Sequence, residues 1–250
     1  MKAVILAGGY GTRMRPLTYL APKSMLPIGG EPLLQRTIHY LSGYGIKEFV
    51  ICVAYLKKQI MEYLGDGSSL GVDIRYGEAD LPLGTAGQLK TAEPFIHAPF
   101  LAMNGDIVTT LNISNLIDSH KRNQPSGTIA MKNFEVKVPY GYIDMDSNSH
   151  IRSFKEKPTF NFSANAGVYI LDSEIFYFIR RDKPQSLETD IFPELIRAGR
   201  TLNGYYEDAY WADVGSISDF ERVDNELIAK QKEKFEPLAG QSVITASKDA

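Results

Sequence analysis

Residues 3–27 read Ala3-Val4-Ile5-Leu6-Ala7-Gly8-Gly9-Tyr10-Gly11-Thr12-Arg13-Met14-Arg15-Pro16-Leu17-Thr18-Tyr19-Leu20-Ala21-Pro22-Lys23-Ser24-Met25-Leu26-Pro27. The apolar run from Lys2 to Leu6 fits a buried strand, and it leads directly into a glycine-rich turn. Glycines let backbone N–H groups approach an anion, and Arg13, Arg15 and Lys23 supply the charge to hold a polyphosphate. A dinucleotide fold would place a third glycine where Met14 stands, and an acidic residue at the end of the second strand, where Val53-Ala54 stands. A Walker loop needs Gly-Lys-Ser/Thr directly before its helix, and that is missing. A purely structural turn leaves two arginines and a lysine beside it unexplained. An anion-binding turn for a small phosphorylated ligand accounts for all of them.

Outward from this turn, strand and helix signals alternate. Pro32–Ser42 places Leu34, Ile38 and Leu41 on one helical face, and Glu48–Ala54 is a second strand. Ile60 and Leu64 mark a short helix, Val72–Tyr76 a strand, Gly84–Glu93 a helix and Pro99–Asn104 a further strand. This alternation predicts an α/β fold whose mostly parallel sheet carries helices on both faces. The second half is less regular. A helix near Ser114–Lys121, strands at Thr128–Lys132 and Ala166–Leu171, and a hairpin of Tyr142–Asp146 with His150–Lys155 are expected. Helices follow near Ser173–Ile179 and Asp190–Ala198, then a short extended Tyr210–Val214 and a closing helix at Ile217–Lys230. Residues 231–250 read as a flexible tail.

The chain has 250 residues, 44% of them hydrophobic, enough core for one large domain or two intimate lobes. A net charge of −3 argues against a nucleic-acid surface, which needs a basic field over many phosphates. Cys52, the single cysteine, lies in the apolar run Phe49–Ala54 and reads as a buried hydrophobe. With no disulfide to form and an N-terminal apolar run too short for a signal core or membrane span, the expected compartment is the cytoplasm. His39, His97, His120 and His150 form no motif. A homo-oligomer stays open, since an apolar stripe facing a partner looks like one facing the core.

Five further motifs follow in order: Gly84-Thr85-Ala86, Asn104-Gly105-Asp106, Glu156-Lys157-Pro158, Asn165-Ala166-Gly167 and Trp211-Ala212-Asp213-Val214-Gly215. Together with the glycine turn and Pro22-Lys23, they give residues 2–230 a pattern that resembles the sugar-1-phosphate nucleotidylyltransferases, also called nucleoside-diphosphate-sugar pyrophosphorylases. The resemblance implies a Rossmann-like, mostly parallel mixed sheet of the nucleotide-diphospho-sugar transferase fold with a smaller sugar-binding lobe. Residues 1–110 would form a nucleotide-binding half and 111–230 a sugar-phosphate-binding half. It implies transfer of a nucleotidyl group from an NTP to a sugar 1-phosphate, with pyrophosphate released. The phosphate nucleophile is already anionic at neutral pH, its second pKa being about 6, so no general base is needed.

By resemblance, Arg13 and Lys23 grip the triphosphate, with Leu6, Ala7, Gly8, Gly9, Gly11 and Thr12 of the turn, and Gly84 and Thr85, completing the nucleotide site. Arg15 is a further cation near it. Asp106 and Asp213 are the expected ligands of Mg²⁺, which keeps waters and shares phosphate oxygens. Lys157 is assigned to the sugar phosphate, and Glu156, Gly141 and Asn165 to the sugar. Glu156 and Lys157 are adjacent on an extended chain and alternate in direction, so both reach one ligand only if the backbone is irregular there.

Glu78 stands where uridylyl and thymidylyl relatives commonly carry glutamine. A carboxylate suits the adjacent N1–H and amino donors of guanine and repels the carbonyls of uracil. GTP is therefore favoured, with mannose 1-phosphate as its partner; a heptose-phosphate guanylyltransferase is the near alternative. The rivals are thymidylyl or uridylyl transfer to glucose 1-phosphate, and a non-catalytic nucleotide-sugar-binding subunit. The aromatic run Tyr205, Tyr206, Tyr210 and Trp211 has no basic groove beside it and reads as packing rather than base stacking.

Overall fold

The computed structural model describes residues 1–181 and 183–235, with side chains described through residue 230. A seven-stranded sheet runs in the order Leu202–Tyr206, Gly127–Lys137, Thr159–Leu171, Phe100–Asn104, Ala3–Leu6, Glu48–Val53, Asp73–Glu78. Thr159–Leu171 is antiparallel to both its neighbours, and every other pairing in the sheet is parallel. The α/β architecture is the one expected, and the sheet draws strands from both halves of the chain.

Period-two alternation divides the core. Ala3, Ile5, Ile51, Leu101 and Met103 face one layer, with Leu34, Ile38, Leu41 and Ile60 from Leu33–Ser42 and Lys57–Leu64 and with Leu116 from Ile113–Asn123. Val4, Leu6, Val50, Cys52 and Ala102 face the other, against Leu89 of Gly84–Lys90 and Leu195 of Phe192–Arg197. Each such fully buried aliphatic contributes roughly 1.5–3 kcal/mol. Burial also pushes the Cys52 thiol up to about 12. Native protein is therefore expected to resist a thiol reagent at pH 8 and to be labelled once unfolded in denaturant; immediate native labelling would contradict this packing.

A third apolar cluster lies under the glycine turn. Met14, Leu26, Ile28, Val108, Ala212 and Val214 pack there with Val223 of the closing helix, Ile217–Phe235. Gly29 N–H donates to Asp224 Oδ1 at 2.7 Å, tying that helix to the loop. The helix runs past residue 230, where the sequence placed its end; the rest of the expected tail, residues 236–250, lies outside the described residues.

Three further departures from expectation matter for the site. The strands expected at Thr128–Lys132 and Ala166–Leu171 are the inner parts of Gly127–Lys137 and Thr159–Leu171, which project outward as a long ladder. Beside that ladder, Tyr142–Met145 and Ile151–Lys155 pair as the expected hairpin. A small antiparallel sheet of Ile107–Thr109 with Trp211–Asp213, and the edge strand Leu202–Tyr206, were not foreseen as sheet partners. Among the described residues no helix is long and apolar enough to cross a membrane.

Candidate active site

Ala3–Leu6 is flanked by Glu48–Val53 on one side and Phe100–Asn104 on the other, so successive connections leave it in opposite directions. Open α/β sheets bind ligands at the carboxyl ends of strands where this reversal occurs. There, Leu6 stands in register with Asn104, and Gly105 N–H donates to Leu6 O at 3.0 Å. A Cβ on Gly105 would lie 2.8 Å from that oxygen, so only glycine lets the turn sit this close. Asp106 follows immediately.

The small sheet explains how Asp213 reaches the same place. Asp213 pairs with Ile107, and Val214 N–H donates to Asp106 O at 2.9 Å. Between the two carboxylates lies Lys23, whose Nζ is 2.6 Å from Asp106 Oδ2 and 4.0 Å from Asp213 Oδ1. The Arg13 guanidinium closes the group. A Cβ placed on Gly215 would meet Asp213 Oδ2 at 3.1 Å and both terminal nitrogens of Arg13 at 3.3 Å, so glycine there leaves room for the two to converge. Burial raises the Asp213 carboxyl above its usual range, and neighbouring Asp106 adds to this, while Lys23 and Arg13 pull it back.

A cavity of about 170 Å³ opens at this spot. Leu6, Ala7, Gly9, Thr85 and Gln88 line it, together with Lys23, Ser24, Asn104, Gly105 and Asp106. Four buried side-chain oxygens among the described residues lack a hydrogen-bond partner, and three of them, on Ser24, Asn104 and Asp213, belong to these site residues. Buried polar atoms are normally satisfied, so this concentration points to a ligand. The buried, unpartnered Asp213 Oδ1 beside Asp106 also fits a divalent cation. No group of three or more His, Cys, Asp or Glu among the described residues forms a full cage. Two carboxylates completed by phosphate oxygens and water are the donor set that magnesium accepts.

Several residues expected at the ligand are engaged elsewhere. Gly8 N–H does not face the cavity: it donates to Gln88 Oε1 at 2.8 Å, so Gly8 contributes close approach rather than a phosphate donor. Gly11 takes a left-handed φ of 60°, and a Cβ there would press within 2.8 Å of Thr18. Thr12 is the first residue of the short helical turn Thr12–Met14. Thr85 Oγ1 donates to Glu188 Oε2 at 2.8 Å and accepts from Leu187 N at the same distance. Gly84 packs so tightly on Gln185 that a Cβ added there would clash with that residue's carbonyl oxygen. Arg15 lies over the Tyr19 ring, 4.9 Å from its centroid. Glu78 is half-exposed, 3.3 Å from Lys57 Nζ, and does not line the cavity.

In the outer lobe, Gly141 sits beside Glu156, with its Cβ position 3.1 Å from Glu156 Oε2. Lys157 adopts φ 45°, which is the backbone irregularity that the alternation argument required. Asn165 is anchored at both amide atoms: Nδ2 donates to Tyr169 OH at 2.7 Å and Oδ1 accepts from Gly167 N at 3.0 Å, across the register shift between Asn165 and Tyr169, which leaves one N–H of the amide for a ligand. Trp211 Nε1 donates to Ala166 O at 2.8 Å, so it packs the lobe as expected.

A left-handed lysine costs roughly 1–2 kcal/mol, part of which the entropy of a glycine would forfeit. Lys157→Gly is therefore expected to raise unfolding stability by roughly 0.5–1 kcal/mol in denaturant titration. Loss of stability would mean that Lys157 makes native contacts that outweigh its strain.

Sequence reasoning gave no role to Ser24, Gln88, Asn104 or Glu188. Asn104 opens a motif and Ser24 follows Lys23, so position alone offered a signal for both. Nothing in the sequence marked Gln88 or Glu188, because their partners Gly8, Thr85 and Tyr169 are remote in the chain.

The profile of the family described as "Nucleotidyl transferase" matches residues 2–230. A mannose-1-phosphate guanyltransferase of Yarrowia lipolytica is 36% identical over 227 residues, covering 88% of this chain and 62% of that protein. A UTP–glucose-1-phosphate uridylyltransferase of Synechocystis is 32% identical over 238 residues, covering 88% and 61%. The chain thus spans about three-fifths of the length of these curated relatives. The crystal structure of HddC from Yersinia pseudotuberculosis complexed with GMP-PN superposes with a TM-score of 0.70 at 28% identity, over 90% of this chain and 98% of that one.

Proposed function

The chain belongs to the nucleotidyl transferase family, and from that premise we propose that it joins a nucleoside triphosphate to a sugar 1-phosphate. The supporting observation is the convergence of Arg13, Lys23, Asp106 and Asp213 on one cavity edge. A sugar-phosphate oxygen attacks the α-phosphorus, the bond from that phosphorus to the oxygen bridging to the β-phosphate breaks, and pyrophosphate leaves. Arg13 and Lys23 hold the departing charge; preorganised cations of this kind are the main source of rate in phosphoryl chemistry. Lys23 has to exchange Asp106 for phosphate to do so. Asp106 and Asp213 would hold Mg²⁺, which when bound supplies charge neutralisation and alignment of the phosphates. Lys157 meets the sugar phosphate and Glu156 the sugar hydroxyls.

GTP with mannose 1-phosphate is the favoured pair. Its support is the mannose-specific relatives and the GMP-PN bound to HddC. Glu78 contributes to guanine selection only by leaving Lys57. The Synechocystis relative favours uridylyl transfer to glucose 1-phosphate as the second reading. Pyrophosphate release measured for GTP, UTP, dTTP and ATP against mannose, glucose and heptose 1-phosphates separates them. The largest kcat/KM is expected for GTP with mannose 1-phosphate. UTP or dTTP ahead with every sugar overturns the choice of base, and no release with any pair overturns the activity.

A further inference from the structure

Gln88 is 7% exposed in the helix Gly84–Lys90, and its side chain spans from the glycine turn to the cavity wall. Oε1 accepts the buried Gly8 N–H at 2.8 Å. Because that partner is a donor, the amide cannot be reversed: its carbonyl faces Gly8 and its NH₂ faces away. Nε2 donates to nothing in the described protein, yet it is not among the sealed unpartnered atoms, so it opens on the cavity that Gln88 lines. The other side chains at this end are Leu6, Ala7 and Thr85, and the Thr85 proton is already given to Glu188. Gln88 meets Gly8 beside Ala54, on the Glu48–Val53 side of the first strand, so its free donor stands across that strand from Asn104 and Asp106, which follow Phe100–Asn104 on the other side.

We infer that Gln88 is a specificity-determining residue that selects nucleobases presenting a carbonyl oxygen to this wall. The inference rests on the nucleotide site proposed above. Phosphates belong at the Lys23 end, which leaves the apolar end between Leu6, Ala7 and Thr85 for the flat base. Guanine O6 or a uracil or thymine carbonyl accepts from Nε2. Adenine and cytosine carry an amino donor at the matching position and leave two donors facing each other. The same side chain holds Gly8, so the base wall and the glycine turn are one rigid unit.

Gln88→Glu keeps an oxygen for Gly8 and replaces the donor by an acceptor. The ratio of kcat/KM for the best of GTP, UTP and dTTP over that for ATP and CTP is expected to fall about 10- to 100-fold, with KM for the sugar phosphate unchanged. Calorimetric binding of GMP, UMP, AMP and CMP to wild type and variant should show the same loss of selectivity. Gln88→Leu, which removes the donor without adding an acceptor and also frees Gly8, is expected to weaken nucleotide binding in general and to lower the same ratio by less than Gln88→Glu does. If Gln88→Glu weakens every nucleotide equally, shifts only the sugar-phosphate KM, or changes nothing, Gln88 does not read the base. If wild type turns over no NTP but prefers GMP or UMP and the variant loses that preference, the transferase reading fails while this one stands.

Discussion

Asp106→Ala is expected to cut turnover on the order of 10³-fold with the fold intact, because its carboxylate serves the site rather than the core. The backbone of Asp106 carries the structure: its carbonyl accepts from Val214, and Gly105 before it packs on Leu6. Its side chain is 29% exposed and, among the described residues, bonds only Lys23. Losing a partly exposed ion pair costs about 1 kcal/mol or less. Far-UV circular dichroism and the melting temperature should therefore stay close to wild type while kcat collapses. Activity within a few-fold of wild type would remove Asp106 from the reaction.

Lys23→Met should reduce kcat on the order of 10²–10³-fold, and it should tighten divalent-cation binding in the absence of nucleotide. The two effects have opposite signs, which sets this variant apart from one that is merely damaged. In the structure the Lys23 ammonium stands at 2.6 Å from Asp106 and 4.0 Å from Asp213, neutralising both carboxylates. A metal ion entering alone competes with it; one arriving with a triphosphate offers Lys23 a new partner. Removing the ammonium leaves two mutually repelling carboxylates, whose affinity for Mn²⁺ is expected to rise roughly tenfold by electron paramagnetic resonance titration. Weaker Mn²⁺ binding in the variant would show that Lys23 orders the site rather than occupying it.

Much of this site was legible because its chemistry is carried by residue type at short range. The strand–glycine–arginine sequence at Ala3–Arg13 and the Asn-Gly-Asp turn after Phe100–Asn104 each declare both a strand end and a charge. Period-two alternation fixed the inner sheet because both its faces are buried. It failed where burial fails. Beyond Lys132 and before Asn165 the sequence does alternate, through Phe134 and Val136 and through Phe160 and Phe162, but these strands stand largely exposed, and contacts such as Phe134 on Phe162 join segments too far apart in the chain for the pairing to be read from either one. Leu202–Tyr206 was missed for a related reason: an edge strand with Gly204 inside it shows little β character.

Engagement of polar groups was not legible at all. Gly8, Thr85 and Asn165 belong to recognisable motifs, yet the Gly8 N–H, the Thr85 hydroxyl proton and one Asn165 amide N–H are given to Gln88, Glu188 and Tyr169. A motif gives the residue type a site needs; only the fold shows which of its atoms remain free. The Lys157 backbone is the converse case. Alternation of Glu156 and Lys157 demanded an irregularity, and the left-handed φ of 45° supplies it.

The most direct measurement is a crystal structure of the full chain soaked with a non-hydrolysable GTP analogue and Mg²⁺. The phosphates are expected within hydrogen-bonding distance of Arg13 and Lys23, the ion on Asp106 and Asp213, and Lys23 released from Asp106. A nucleotide seated elsewhere would contradict it, for example in the larger cavity of about 820 Å³ beside His120 and Lys121, with the Lys23–Asp106 pair unbroken.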